Sequence, residues 1–367
     1  MLIKEYSPDN IFIDPQLLPD INPENCLFLD IETTGFSAIN NQIYLIGVSY
    51  FTEGTCHIKQ WFAESLEDES SIISSFAECL SNYSHLIHFN GNRFDIPFLE
   101  QRAKYHNLEI NFSDYIGIDL YKRTINLKNI LVLPNCKQKT VEQFLGLNRQ
   151  DKYSGGELIN TYLQYTTNPS EILLGELLLH NHDDVIGLIQ IMPILYYYTL
   201  VDDSLLIKKV QLQESTNFLH EKTLELLITL ENELPLPKSI SVNKNDCFLS
   251  ANDKKVTIKV PVYNKELKYF YKNYKEYYYI EQVDGAFHKS VVTAIDSSLK
   301  TQAKAQNCYT RKNSLYLKQF GAIFKPLFKE SYLDNTLYLE LTQEMKLDRE
   351  FFTSYVKHII QMMISGN

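Results

Sequence analysis

The 367-residue chain has no apolar run near the roughly 20 residues that a membrane-crossing helix needs. Its opening, MLIKEYSPDNIFID, lacks the basic-then-apolar order of a secretory leader. Six cysteines (26, 56, 79, 136, 247 and 308) lie far apart without a CxxC pair, which speaks against a zinc site and against a disulfide framework. A reducing cytoplasm is the expected setting. Internal repeats and low-complexity tracts are also missing. So is positive charge in one place that matters: no Lys or Arg stands between Glu5 and Phe51.

What remains is a globular composition, 44% hydrophobic and 22% charged, over a length that suggests two domains. The net charge of -10 is uneven. Residues 1–200 carry 12 Lys and Arg against 25 Asp and Glu, while residues 201–367 carry 23 against 20. An acidic half beside a mildly basic one fits a metal-binding module joined to a polyanion-binding one, and fits uneven solubilising charge equally well.

The first half alternates strand and helix signals. Apolar or alternating runs at 27–31, 43–50 and 57–62, separated by short polar turns, predict an antiparallel meander. A helix over 65–81, a strand at 85–89, a helix from about Pro97 and a strand at 116–120 follow. Shorter helices at 141–145 and 158–165 precede a long one over 170–197, with Ser170 as N-cap. The pattern is α/β, a mixed sheet flanked by helices over residues 1–205. A connecting helix over 206–234 then ends at Leu234-Pro235-Leu236-Pro237. Strands at 256–260 and 277–280 and amphipathic helices over 287–305 and 348–364 predict a smaller α+β domain at 235–367.

Residues 28–36 read FLDIETTGF. Residues i and i+2 of a strand share a face, so Asp30 and Glu32 project together. Two like charges so close need an Arg or Lys partner, a shared proton or a divalent cation, unless the strand end simply faces water. A local cationic partner is absent, and hard oxygen ligands of this kind suit Mg²⁺ or Mn²⁺.

Residues 85–102 read HLIHFNGNRFDIPFLEQR. A buried strand runs into the turn Asn90-Gly91-Asn92, and Asp95 opens a helix, where its charge also suits the helix dipole. Residues 177–188 read LLLHNHDDVIGL. There His180 and Asp184 are four apart and share one helical face, a pairing of one base with one ligand. His182 and Asp183 project elsewhere and are expected to be solvated.

Together these stretches resemble the DEDD exonucleases of the ribonuclease H-like superfamily. Asp30-Ile-Glu32-Thr-Thr-Gly35 matches their first motif, Asn90-Gly-Asn-Arg-Phe94-Asp95 their second, and His180-Asn-His-Asp-Asp184 their third. The resemblance covers roughly residues 22–200. It implies a ribonuclease H-like fold, 3′-5′ exonuclease activity on single-stranded DNA or RNA, and two Mg²⁺ or Mn²⁺ ions held by Asp30, Glu32, Asp95 and Asp184. Asp30 would bridge both ions, and His180 would orient the attacking water and take its proton. Thr34 and Gly35 would approach the terminal nucleotide closely, and Asn90 would position the strand. One departure stands out. The proofreading branch has a Tyr four residues before the last Asp and the other main branch a His five before it, whereas His180 combines the histidine identity with the tyrosine spacing.

The second half resembles no module with a transferable role. Residues 264–279 interleave Lys265, Lys268, Lys272 and Lys275 with aromatic residues, and residues 299–329 hold seven Lys or Arg and no acid. Lysines on phosphates and aromatic faces on bases suit single-strand binding, with Lys268 and Lys272 as candidates, though both residue types also serve as core and solvating face. A ribonuclease or structure-selective endonuclease sharing the site, and an inactive nucleic-acid-binding protein, are the competing functions. Completeness of the carboxylate set speaks against the last.

Overall fold

The structure, a computed structural model, describes every residue except 152, 154, 203, 217–220, 346, 347 and 367. It divides into two compact units, residues 1–128 with 132–197, and residues 129–131 with 198–367.

In the first unit the elements run β1 (Leu2–Tyr6), β2 (Cys26–Thr33), β3 (Ile43–Thr52), β4 (Thr55–Phe62), α1 (Glu69–Leu80) and β5 (His85–His88). Then come α2 (Asp95–Tyr105), β6 (Ile116–Asp119), α3 (Leu120–Leu127), α4 (Gln138–Leu145), α5 (Gly155–Thr167) and α6 (Glu171–Ile191). The strands form one sheet in the order β1-β4-β3-β2-β5-β6. β2, β3 and β4 make the expected antiparallel meander. Glu53 and Gly54, both at positive φ, close the β3–β4 hairpin with the backbone twist such turns require. β5 and β6 continue the sheet in parallel, as crossover helices α1 and α2 dictate. The result is a mixed, helix-flanked, RNase H-like sheet. β1, which the sequence pattern does not announce, adds an edge against β4 with only Leu2 partly buried.

β2 is central and buried on both faces, with Leu27, Phe28 and Leu29 out of solvent. Three polar contacts from the sheet set the position of α6 across it. Gln60 of β4 donates to the Leu178 carbonyl and to Asn181 Oδ1, each at 2.9 Å, and Ser49 of β3 donates to the Val185 carbonyl at 3.1 Å. The helix comes this close because Gly47 has no side chain: a Cβ there would fall 1.9 Å from Asn181 Oδ1. Behind the sheet, buried Glu69 of α1 accepts from Arg102 Nε at 2.8 Å and from the Ile43 N–H at 2.7 Å. Tyr44 stacks on Tyr162 at 4.1 Å, and Trp61 is fully buried.

The second unit corrects two expectations. In place of a connecting helix over 206–234 the chain forms β7 (Leu206–Thr216) and β8 (Lys222–Glu231), an antiparallel pair. Leu226, Ile228 and Leu230 are buried at every second position, so the operative period is two and not 3.6. Next come β9 (Ile240–Lys244), β10 (Cys247–Asn252), β11 (Lys255–Phe270), β12 (Tyr277–Ile280), β13 (Gly285–His288), β14 (Thr301–Gln302), β15 (Tyr309–Gln319) and β16 (Leu337–Glu340). The helix expected over 287–305 is not formed. Phe287 lies in β13, the Asp296 carboxylate caps a short turn by accepting the Ser298 N–H at 2.8 Å, and the stretch ends in β14. Asp and Ser side chains compete for backbone N–H groups in this way and favour turns over helix interiors.

β11 is the hub, pairing with β8 and β10 along its first half and β15 along its second. β12, β13 and β14 form a separate small sheet. The last expected helix is present as α7 (Arg349–Ile364), capped by Asp348 and burying Phe352, Tyr355, Ile359 and Met363. Among the described residues one α-helix stands beside ten strands, which makes this unit sheet-rich. No helix among the described residues is long and apolar enough to cross a membrane, and the six cysteines are free thiols.

Candidate active site

β2 carries the first two acids to the end of the sheet. Asp30 pairs with Gly47 across the ladder, and the register slips between Glu32 and Thr33, a bulge that ends regular pairing next to the carboxylates. Asn181 Nδ2 donates to Asp30 Oδ2 at 3.0 Å, fixing that side chain from α6. Asp95, the first residue of α2, turns inward, and its carboxylate accepts the Ile31 N–H at 3.3 Å. It is therefore tied to the strand between the first two acids and is not a solvated helix-start acid.

α6 supplies the rest. His180 is 5% exposed, and its Nε2 stands 3.4 Å from Glu32 Oε1 and 3.3 Å from Asp184 Oδ2. One ligand atom each from Glu32, His180 and Asp184 lie within 4.8 Å of one another, a donor set of oxygen and imidazole that suits a divalent cation. α5 begins beside this face at Gly155, where a Cβ would stand 3.9 Å from both Glu32 Oε2 and His180 Nε2. The structure thus brings all five predicted catalytic residues to one centre.

The acids raise one another. Asp30 is held well above the ordinary carboxylate range by burial, then by the charges of Asp184, Glu32 and Asp95, against the Asn181 hydrogen bond. Glu32 is raised in the same way by burial, Asp184, Asp95 and Asp151. Burial pushes Asp95 up to about 7; its own N–H and that of Ile31 oppose the shift, and Asp184 and Asp119 add to it. Carboxylates crowded like this favour a proton or a cation between them.

Sequence reasoning missed the segment that faces them. Arg149 Nη2 donates to Asp184 Oδ1 at 2.6 Å and to Glu142 Oε1 at 2.7 Å. Asp151, its side chain 1% exposed, lies 2.7 Å through Oδ2 from His180 Nδ1 and accepts from Lys139 Nζ at 3.1 Å. Burial works against charge on Asp151, but the Tyr153 N–H, His180 and Lys139 bring its pKa below the usual value. Asp183 is not solvated as expected. Its Oδ2 accepts the N–H groups of Gln150 and Asp151 at 2.9 and 2.8 Å and so clips this segment to α6. His182 bonds Asp183 and stacks on Tyr6 at 5.5 Å, away from the centre.

Of the predicted substrate contacts, Thr34 and Gly35 form the loop leaving β2, where the Thr34 N–H donates to the Gln42 carbonyl and Thr34 Oγ1 accepts the Gln42 N–H, both at 2.9 Å. Asn90 has φ +66°, donates its N–H to Asp119 at 2.9 Å, and its buried Oδ1 has no partner among the described residues. Lys268 and Lys272 belong to the second unit. Lys268 Nζ sits 4.3 Å from the centre of the Tyr309 ring, and Lys272 is exposed in a turn.

Residues 27–196 match the family model RNase_H_2, described as the RNase_H superfamily. No curated protein sequence matches the chain. Among solved structures, the family B DNA polymerase of the hyperthermophilic archaeon Pyrobaculum calidifontis aligns at 16% identity and TM-score 0.38, over 49% of this chain and 26% of its own. A structure of exonuclease I aligns at 9% identity and TM-score 0.33, over 56% of this chain and 55% of its own. E. coli exonuclease I in complex with a dT13 oligonucleotide aligns at 10% and 0.32 over the same shares. The chain spans a quarter of the polymerase and about half of the exonuclease chains. At such scores the neighbours' activities stay with the neighbours. The first unit is RNase H-like on its own strand order and on the family match.

Proposed function

We propose that the first unit is a metal-dependent 3′-5′ exonuclease that hydrolyses phosphodiester bonds of single-stranded DNA or RNA in the cytoplasm. One observation carries this reading: three stretches far apart in sequence deliver Asp30, Glu32, Asp95, His180 and Asp184 to one largely buried centre on an RNase H-like sheet. Asp30, Glu32, Asp95 and Asp184 would hold two Mg²⁺ or Mn²⁺ ions. When bound, such ions activate water and neutralise charge on the scissile phosphate and the leaving oxygen.

The chain's own residues hold the acids in place. Asn181 orients Asp30, the Ile31 N–H orients Asp95, and Arg149 engages Asp184. Thr34, Gly35 and Asn90 would take the terminal nucleotide, and Lys268, Lys272 and neighbouring tyrosines of the second unit would contact phosphates and bases. Hydrolysis breaks the terminal P–O bond and releases a nucleoside monophosphate. The test uses 5′- and 3′-labelled DNA and RNA with Mg²⁺, Mn²⁺ or EDTA. Metal-dependent shortening from the 3′ end, abolished by Asp30→Asn, is the expected result. Internal cuts would favour the endonuclease reading. Inert protein on every substrate would favour a binding protein.

A further inference from the structure

In the second unit, β12, β13 and β14 stand apart from the large sheet, and alternate residues of each strand share a face. On one face Tyr277 and Tyr279 pack against Ala286, Ala303 and Cys308 and belong to the core. The other face carries Tyr278 of β12 and Phe287, its direct cross-strand partner on β13. Both rings are partly exposed. Neighbouring rings have partners, Tyr271 stacking on Tyr277 at 4.5 Å and Phe270 meeting Tyr309 at 5.3 Å, but among the described residues no ring packs on Tyr278 or Phe287. Two ammonium groups flank Tyr278 instead, Lys289 Nζ at 5.5 Å and Lys300 Nζ at 5.4 Å from its centre. Lys300 is held there by donating to the Val292 carbonyl at 2.7 Å. Neither lysine pairs with a carboxylate among the described residues, whereas Lys265, Arg311, Lys312 and Lys318 of the large sheet pair with Glu330, Glu266, Glu340 and Asp246. Two nearby acids are engaged internally, Asp284 by the Tyr279 and Tyr309 hydroxyls and Asp296 by the Ser298 N–H. Exposed Lys275 precedes β12 and exposed Lys304 follows β14.

We infer that the Tyr278 face of this small sheet is a docking surface for single-stranded nucleic acid, with Lys289 and Lys300 on backbone phosphates and Tyr278 and Phe287 under bases. The inference deepens the nuclease reading, on which the choice of a nucleic acid rests. Unpaired cations beside open rings complement a strand that alternates phosphate with base: lysine neutralises the first, and an aromatic face stacks the second whatever its sequence. A duplex does not fit the same face, because its bases are already stacked on one another and must be taken out of the stack to reach a side chain. An ordinary protein partner fits poorly as well, since the cores of such interfaces are depleted of lysine.

The test is fluorescence anisotropy of a labelled oligo-dT strand with the full chain in EDTA, across a range of KCl concentrations, beside the same strand annealed to its complement. Changing both Lys289→Gln and Lys300→Gln should flatten the plot of log affinity against log salt by about 1.4, two phosphate contacts at about 0.7 each. Tyr278→Leu should weaken binding about 5- to 150-fold at fixed salt while leaving that slope alone. Tyr278→Phe, which keeps the ring, should bind as the wild type does. Unchanged affinity and slope in the double lysine variant overturn the inference. So does duplex bound as tightly as single strand with no effect of Tyr278→Leu, which leaves a surface for polyanions of any kind. If Lys300→Gln fails to fold for want of the Val292 contact, Lys289→Gln alone decides, with a slope change of about 0.7. Active nuclease whose binding ignores all these changes sinks the docking surface and spares the nuclease reading. Binding that responds to them in protein inert on every substrate does the reverse.

Discussion

Removing the Asp95 charge should stabilise the metal-free protein, and should do so more at high pH than at low. Asp95 stands at about 7 against an ordinary 3.8, so the folded protein holds its proton more tightly than the unfolded chain does. Its contribution to stability is complete below the unfolded value and is lost as pH rises through about 7. The whole difference is worth about 4 kcal/mol, and the part lost between pH 6 and pH 8 about 1.4 kcal/mol. Buried His88 and His358, both with lowered pKa, push stability the other way in that window. The informative quantity is therefore the difference between wild type and Asp95→Asn, from which those terms cancel. Trp61 makes it measurable. It is the only tryptophan, it is fully buried, and it lies in the first unit, so its fluorescence follows that unit's unfolding. In urea titrations with EDTA, Asp95→Asn should gain about 1.4 kcal/mol on wild type in going from pH 6 to pH 8. Saturating Mn²⁺ should erase the advantage, because an ion that binds only the folded state adds its binding energy to the wild type. Equal pH dependence of the two proteins in EDTA would refute the picture of a crowded, buried carboxylate.

Gly47→Ala drives a methyl group into the Asn181 amide and should cost about 1–3 kcal/mol by the same fluorescence assay, with weaker Mn²⁺ binding because Asn181 orients Asp30. Asp183→Ala leaves the Gln150 and Asp151 N–H groups without their acceptor; a loss of about 2–4 kcal/mol and faster amide hydrogen exchange at both positions are expected. Glu69→Gln breaks a buried pair with Arg102 and should cost about 3–5 kcal/mol at neutral pH while leaving ion affinity unchanged. Because the Glu69 pKa is lowered, its contribution is present above the ordinary 4.5 and fades as pH falls through the folded value, so the cost should shrink in acid.

The fold of the first unit was legible where one period dominated. Residues 27–62 alternate over short runs between turn residues, and the structure contains the expected meander. The centre was legible because its acids lie on regular elements, where the directions of strand and helix side chains follow from spacing alone. Arg149 and Asp151 lie in a segment without periodicity, and their importance consists of contacts 35 and 29 residues away. Nothing local marks them. Asn181 looked like any polar helix residue, yet Gly47 inside an apolar strand was a usable sign of close backbone approach. In the second unit, Leu, Lys and Glu around 206–231 favour helix by propensity while their order favours strand, and the pairing of β8 with β11 settles the contest for period two.

The contact between Arg149 and Asp184 bears on the order of events in making the protein. A carboxylate cluster that depended wholly on divalent ions for balance would leave the chain unable to finish folding until ions arrived. Here a guanidinium from the same chain already offsets one of those charges. If the proposed ions bind, folding and metal loading can then be separate steps, with the scaffold finished first. On the proposed reading, stripping the ions would silence the centre without dismantling the unit that holds it.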